Sequence, residues 1–247
     1  MFARSISRAA FAIRPVQSAI RVVPTFRIAP CAVRTFASTA SAREDAAKQL
    51  VNKLKEERTY ELENTEKEPE FVKEFTTRGI WKIEDKTGEK EVTLKRTFGN
   101  ESIKVLFSTD ALTDSEPMEQ EEGEEESSVP IPVSIIIEKT GSPDVGALEI
   151  SATAQDASFF IEAVSHSSSA SILNDQTAEG DWIRRGKYNG PVFHDLDENL
   201  QDTFHDWLRE RGFDEQLAEF LPQYIELKEQ KEYTSWLGNV EKFVKTA

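Results

Sequence analysis

The spacing of apolar residues predicts a helix near the start of the acid-containing part of the chain. Between residues 42 and 64, Ala47, Leu50, Val51 and Leu54 follow the i, i+3, i+4, i+7 pattern of an amphipathic helix. The apolar stripe is narrow. We therefore expect this helix to pack against one partner helix rather than to enter a core.

Apolar and polar residues alternate from residue 79 onward, which is the period of half-buried strands. Seven runs have this character, at 79–85, 91–98, 102–108, 130–139, 146–154, 158–165 and, as a last short run, 182–190. Gly99-Asn100 separates the second run from the third and is typical of a two-residue hairpin loop. Because most connections are short or polar, we predict an antiparallel meander.

The helical period returns after residue 193, where residues 194–212 carry an apolar stripe. Asp195 with Glu198 resembles a capping box at its start, and Gly212 is a natural stop at its end. The stripe contains Leu196, Leu200, Phe204, Trp207 and Leu208. Leu200, Phe204 and Trp207 are the candidates for burial against the sheet or against a neighbouring copy.

Residues 213–245 predict a further helix. Pro222 should kink this helix or mark the start of its main part, because proline lacks the amide hydrogen that the helix needs. Its second half carries a stripe that we expect to face the helix of residues 42–64. The facing residues would be Leu50 and Leu54 on one side and Trp236, Val240 and Phe243 on the other.

A low-complexity acidic tract interrupts the strands between residues 110 and 128. It holds nine carboxylates: Asp110, Asp114, Glu116, Glu119, Glu121, Glu122, Glu124, Glu125 and Glu126. The tract is too long for an ordinary hairpin loop, and its composition predicts a disordered segment. It is either a solvated loop that aids solubility or a docking tract for basic partners. Its carboxylates do not follow the register of a calcium-binding EF-hand loop.

Charge is distributed unevenly along the 247 residues. The net charge is −15, from 30 basic and 45 acidic residues. Residues 1–43 contain seven arginines and no acid, so residues 44–247 retain 23 basic and 45 acidic residues and a net charge of −22. A surface this acidic repels nucleic-acid phosphates and attracts basic proteins, which argues against direct binding of nucleic acid.

The first 43 residues have the composition of a mitochondrial transit peptide, because they are rich in Arg, Ser and Ala and lack acids. Cleavage between Phe36 and Glu44 would leave residues 44–247 as a mature matrix protein. It would also remove Cys31, the only cysteine, and with it disulfides and thiolate sites. No apolar run reaches the length of a membrane span.

Few residues suggest chemistry. The sequence lacks the common phosphate loops, the nucleophile elbow and zinc-binding histidine spacings, so we expect no catalytic, cofactor or metal residues. An enzyme using Asp195, Asp197, Glu198 and Asp202 is an alternative. A nucleic-acid-binding factor that uses the cations of "KVLFS", "KYNG" and "WIRRGK" is another, although we expect those cations to form local salt bridges on the sheet.

Two C-terminal motifs resemble the mitochondrial acidic matrix protein family, also called the mitochondrial glycoprotein family. They are "KYNGPVFHDLDENLQDTFHDWLRERG" at 187–212 and "KEYTSWLGNVEKFVK" at 231–245. The resemblance covers roughly residues 44–247, and Pro222 is a departure from it.

The resemblance implies an α+β fold with a strongly twisted seven-stranded antiparallel sheet, one N-terminal and two C-terminal helices. It also implies a ring-shaped homotrimer with a very acidic face. Family members resemble non-enzymatic adaptors or chaperones that bind basic proteins such as mitochondrial ribosomal proteins. The implied role is support of mitochondrial ribosome assembly, translation and oxidative phosphorylation. A regulatory factor in mitochondrial RNA processing is the alternative.

Overall fold

A twisted antiparallel sheet forms the centre of the molecule. The computed structural model describes residues 39–66, 68–114, 129–175 and 177–246, and residues from Arg43 onward form one compact unit. Within these ranges the strands are β1 (Lys82–Asp85), β2 (Glu91–Phe98), β3 (Glu101–Ser108), β4 (Ile131–Lys139), β5 (Ala147–Gln155) and β6 (Ser158–Ser167). Each strand pairs with its neighbour in sequence, in the order β1-β2-β3-β4-β5-β6, which confirms the predicted meander.

The helices lie before, between and after the strands. Those described are α1 (Thr39–Asn64), α2 (Glu70–Thr77), α3 (Asp110–Asp114), α4 (Ala170–Asn174), α5 (Ala178–Arg185), α6 (Glu198–Glu210) and α7 (Glu215–Lys245). The fold is therefore α+β, as predicted. The Gly99-Asn100 hairpin is also confirmed, because Phe98 pairs with Glu101 across that turn.

The predicted seventh strand at 182–190 is wrong. Residues 178–185 form α5 instead, and the side chain of its N-cap, Thr177, accepts a hydrogen bond from the Gly180 amide. This cap starts a helix, so the short apolar pair Trp182-Ile183 does not join the sheet. Further on, an antiparallel bridge between Val192 and Ala163 joins the chain to the outer edge of β6.

The core lies between one face of the sheet and the helices α2, α6 and α7. Alternate residues of β2 to β5 point into it, and α7 packs on β5 and β6. Fully buried members include Leu94, Ile103, Ile135, Ile150 and Leu221. The opposite face carries a small second cluster, in which Leu173 of α4 covers Ile136 and Ala147.

The two ends of α6 differ in how well they could be predicted. The predicted capping box is wrong, because Asp195 lies in a 3-10 turn and Asp197 is the N-cap, accepting from the Asn199 amide at 3.1 Å. The stop at Gly212 is confirmed. Its φ of +88° is left-handed, and the Phe213 amide bonds the Leu208 carbonyl at 3.2 Å, which is a Schellman motif.

Pro222 does not begin α7. The helix starts at Glu215, where Asp214 caps it by accepting from the Leu217 amide at 3.0 Å, and continues through Pro222 to Lys245. The alternative that Pro222 marks the start of the main helix is therefore wrong.

Candidate interaction surfaces

The acidic tract is described only at its beginning. Asp110 and Asp114 lie in α3, directly after β3, whereas Glu116, Glu119, Glu121, Glu122, Glu124, Glu125 and Glu126 lie outside the described residues. Asp110 is ion-paired with Lys90 at 2.6 Å, and this hydrogen bond holds the pKa of Asp110 below its usual value. Asp110 is thus engaged within the fold, at the point where the chain enters the tract.

Many of the cations elsewhere on the surface already have acidic partners. Exposed pairs join Lys53 to Glu56, Lys73 to Glu70, Lys86 to Glu89, Lys95 to Glu84 and Arg209 to Asp206. Each exposed pair contributes little to stability, about 0–1 kcal/mol. Their main consequence is electrostatic. These pairs neutralise many of the cations, so the 22 carboxylates in excess of cations in residues 44–247 have few counterions within the chain.

The helices α1 and α7 run antiparallel and meet along a polar seam. Gln230 donates to the Glu61 carboxylate at 2.6 Å, and the Tyr233 hydroxyl donates to Glu57 at 3.2 Å. Further along, Arg58 lies 3.7 Å from the Glu241 carboxylate. Hydrogen bonds and charge thus help to position one helix against the other, whereas the sequence indicated this pair through apolar stripes on the two helices.

The residues predicted to pack between these helices have different environments. Leu54 is buried and Val240 half-buried. In contrast, Leu50 is 47% exposed, Trp236 55% and Phe243 81%. The Trp236 ring stacks on Tyr233 with centroids 6.2 Å apart. Within one chain the structure therefore leaves most of this apolar set uncovered.

The α6 candidates are placed on both sides of the helix. Phe204 and Trp207 pack against the core, and Phe204 lies 5.9 Å from the buried ring of Phe193. Leu200 is exposed at 43%. The Arg211 guanidinium lies 3.7 Å from the centre of the Trp207 ring, a cation–π contact that fixes the end of α6.

A buried carboxylate, Glu101, connects α6 to the sheet. Arg211 donates to both of its oxygens, at 2.7 and 3.0 Å, and Lys139 of the neighbouring strand also donates to it. Burial alone would raise the pKa of Glu101, but the hydrogen bonds from Arg211 and Lys139 outweigh it and lower the pKa. The carboxylate stays ionised, and it is 2% exposed.

A buried ammonium, Lys228, connects α7 to the β1–β2 hairpin. It donates to Asp85 at 2.5 Å, to Glu232 at 2.7 Å and to the Lys86 carbonyl at 2.7 Å. Burial would lower the pKa of Lys228, but these carboxylates outweigh it and raise the pKa. Burial, together with Asp85, raises the pKa of the neighbouring Tyr224 hydroxyl, which donates to Asp85 at 3.0 Å.

Neither buried charge was predicted, although the sequence contained a signal for both. Glu101 has the phase of Ile103 and Val105 in the alternation of β3, which places it on the core face. Lys228 follows Leu221 and Ile225 at helical spacing. A charged residue in phase with buried neighbours indicates a paired buried charge.

Two negative findings apply to the described residues. No helix among them combines the length and the apolar character needed to cross a bilayer. Across the same ranges, no group of three or more His, Cys, Asp or Glu side chains lies together as a metal site would require. The acids of the alternative enzyme, Asp195, Asp197, Glu198 and Asp202, lie on the turn and first residues of α6 and are exposed.

Comparison with known proteins agrees with this fold and charge. The model of the mitochondrial glycoprotein family matches residues 54–244. The mitochondrial acidic protein mam33 of Schizosaccharomyces pombe is 31% identical over 239 residues, covering 88% of this chain and 86% of that protein. An uncharacterized mitochondrial protein of Arabidopsis thaliana is 35% identical over 168 residues, covering 66% of this chain and 62% of that protein.

Solved structures share the fold. A Leishmania major protein, described as a sequence homologue of human p32, has a TM-score of 0.64 at 23% identity and covers 81% of this chain and 99% of its own. The Trypanosoma brucei p22 protein has a TM-score of 0.62 at 24% identity, with coverage of 81% and 98%.

The twisted meander, the closing helices and the carboxylate surplus define an acidic protein of the mam33 and p32 type. The chain belongs to the mitochondrial glycoprotein family, and its curated relatives are mitochondrial proteins.

Proposed function

We propose that this protein is a non-enzymatic acidic adaptor or chaperone of the mitochondrial matrix. It holds basic proteins, such as mitochondrial ribosomal proteins, and so supports ribosome assembly, translation and oxidative phosphorylation. The observation that carries the proposal is the net charge of −22 on residues 44–247, where many of the cations are already paired with the chain's own acids.

The acidic tract at 110–128 is the proposed docking element. Each exposed ion pair with a client contributes only about 0.2–1 kcal/mol, but many tethered carboxylates act together and still release the client. Asp110 is already paired with Lys90, so docking rests mainly on the glutamates between 116 and 126.

A homotrimer would multiply this charge. Leu50, Trp236 and Phe243 are exposed on α1 and α7, and apolar residues of this size usually lie in an interface when they cluster. Three copies would bring 27 tract carboxylates into one particle.

The proposal also takes residues 1–43 as a cleaved transit peptide, so N-terminal sequencing of the matrix form should find a start between Phe36 and Glu44.

The function is tested by binding of a Lys/Arg-rich ribosomal protein to wild type and to a variant with Glu→Gln at the seven glutamates 116–126. The matched control neutralises seven exposed glutamates outside the tract: Glu63, Glu68, Glu74, Glu179, Glu219, Glu226 and Glu229. We expect the tract variant to bind the client more weakly than the control does, with an unchanged melting temperature.

Two further measurements complete the test: client binding at different salt concentrations, and binding of naked RNA. Raising salt from about 50 to about 500 mM shortens the Debye length about threefold and should weaken wild-type binding. Client binding that is insensitive to salt and equal in the tract variant contradicts the proposal. Tighter binding of naked RNA than of the basic protein supports the RNA-processing alternative instead.

A further inference from the structure

A cavity lies beside β6, and none of its lining residues belongs to α1 or α7. Its volume is about 460 Å³, which is within the range of small-molecule sites. It lies between the end of β6 and the loop that follows α5. The side chains that line it are Val164, His166, Ser167, Ser168, Lys187 and Tyr188.

Tight backbone packing forms its walls. Gly190 has a φ of +83°, and a Cβ there would lie 2.3 Å from the Val164 carbonyl, so only glycine lets the 187–190 loop close onto β6. On the other side, His166 Nε2–H donates to the Val145 carbonyl at 2.9 Å, which orients the ring. The "KYNG" stretch of the resemblance thus shapes a concave site.

Three of the lining side chains have unused hydrogen-bond donors. Among the described residues, the Lys187 ammonium, the Ser168 hydroxyl and the Tyr188 hydroxyl form no hydrogen bond or ion pair. The neighbouring Arg185 likewise has no ion pair within the described ranges. The expectation that these cations form salt bridges on the sheet is therefore wrong for Arg185 and Lys187, which lie at the end of α5 and in the loop after it. It is also wrong for Lys104 of "KVLFS", which has no ion pair within the described ranges.

The aromatic residues of the same stretch are exposed to an unusual degree. Trp182 and Tyr188 are each 79% exposed, and Tyr188 is one of the residues that line the cavity. An exposed aromatic face beside an unpaired cation favours a ligand with both a planar ring and an anionic group.

We propose that this cavity binds a small phosphomonoester attached to a planar ring, with Lys187 and Ser168 holding the phosphate and Tyr188 stacking on the ring. A phosphate offers three strong acceptor oxygens, which match the unused donors better than a carboxylate does. The ligand must be compact, because a long polyanion would extend over a body with a net charge of −22 and be repelled. This site goes beyond the proposed docking of basic proteins and does not depend on it.

Phenyl phosphate and inorganic phosphate are suitable probes, titrated into the full chain and followed by NMR shifts of the 164–190 backbone amides. The test variants are Lys187→Gln and Tyr188→Ala. The matched controls are Lys104→Gln, a cation on β3 without an ion pair in the described residues, and Tyr60→Ala, an aromatic that is 64% exposed on α1.

We expect saturable binding of phenyl phosphate to wild type and to both controls. Lys187→Gln should weaken it about tenfold, the equivalent of about 1.4 kcal/mol. Tyr188→Ala should weaken phenyl phosphate but leave inorganic phosphate unchanged, because only the ring contact is lost. Both test variants change exposed side chains, so their melting temperatures should equal that of wild type.

Three results would overturn the site: no saturable binding by wild type, equal losses in Lys187→Gln and Lys104→Gln, or shifts that fall outside residues 164–190. A tighter affinity for single-stranded RNA than for phenyl phosphate at the same amides would also reject it, and would identify the surface as a nucleic-acid interface. Failure here leaves the binding of basic proteins unaffected, since that is read from the tract variant.

Discussion

The two halves of α7 have different surroundings, although each carries several large apolar residues. In the first half, from Glu215 to Lys228, eight residues are buried: Leu217, Ala218, Phe220, Leu221, Tyr224, Ile225, Leu227 and Lys228. In the second half only Leu237, Gly238 and Glu241 are buried. Phe220 stacks on Phe75 with centroids 3.6 Å apart, whereas Phe243 is 81% exposed.

This difference in burial indicates that the first half of α7 serves the folding of the single chain and the second half serves association between chains. The first half completes the core of its own chain and anchors the hairpin through Lys228. The second half is held to α1 by polar contacts such as Gln230 to Glu61, and its rings Trp236 and Phe243 remain exposed. Substitutions in the first half should therefore change the stability of the single chain, and those in the second half should change assembly.

The largest expected effect is that of Lys228→Met. This substitution leaves Asp85 and Glu232 without their shared cation, and breaking such a buried pair costs about 3–5 kcal/mol. Urea unfolding should show the loss. Lys242→Met, in the exposed second half, is the matched control and should change the free energy of unfolding by less than about 0.5 kcal/mol. Equal effects of the two substitutions would contradict the comparison.

Leu221→Ala should be next in size. Leu221 is 0% exposed, and truncating a buried leucine leaves a cavity that costs about 2–5 kcal/mol. Phe243→Ala removes a larger side chain from an exposed position. In dilute monomer it should cost less than about 0.5 kcal/mol. A loss from Phe243→Ala as large as that from Leu221→Ala would show that the second half is buried in the single chain.

A pH profile sharpens the prediction for Lys228. Its pKa is raised in the folded state above the ordinary 10.5, so its contribution is complete below 10.5 and is lost as pH rises through the folded pKa. The stability difference between wild type and Lys228→Met should stay constant from about pH 7 to about pH 9 and shrink only in stronger alkali. A difference that already shrinks below pH 9 would mean that the carboxylates do not hold the charge.

The smallest expected effect on folding is that of a double substitution, which should instead clearly lower the molecular mass of the particle. Trp236→Ala combined with Phe243→Ala removes exposed rings from the second half, and light scattering at micromolar concentration should report a smaller particle than wild type. The melting temperature of the separated chain should stay the same. A wild type that is already monomeric at this concentration would refute the proposed homotrimer.

The sequence predicted the elements with strong periodicity and missed those decided by local or tertiary contacts. Alternation in β2 to β5 located the meander, and Gly212 located the end of α6. The seventh strand failed because the cap at Thr177 outweighed the short apolar pair at 182–183. Period alone could not distinguish Phe220 from Phe243, since both lie in apolar stripes and only the surroundings of the folded chain differ.

The order in which the chain is made has a consequence for folding. Every strand pairs with its nearest neighbour in sequence, so each pairing except that of β3 with β4, which the acidic tract separates, needs little loop closure and can form early. The face of the sheet that becomes the core is covered largely by α7, the last element, and the contact of Gln230 with Glu61 spans 169 residues. A chain that has not yet supplied residues 215–245 therefore holds a formed sheet with an open apolar face. This intermediate should be the species most prone to aggregation and the one that depends most on general chaperones.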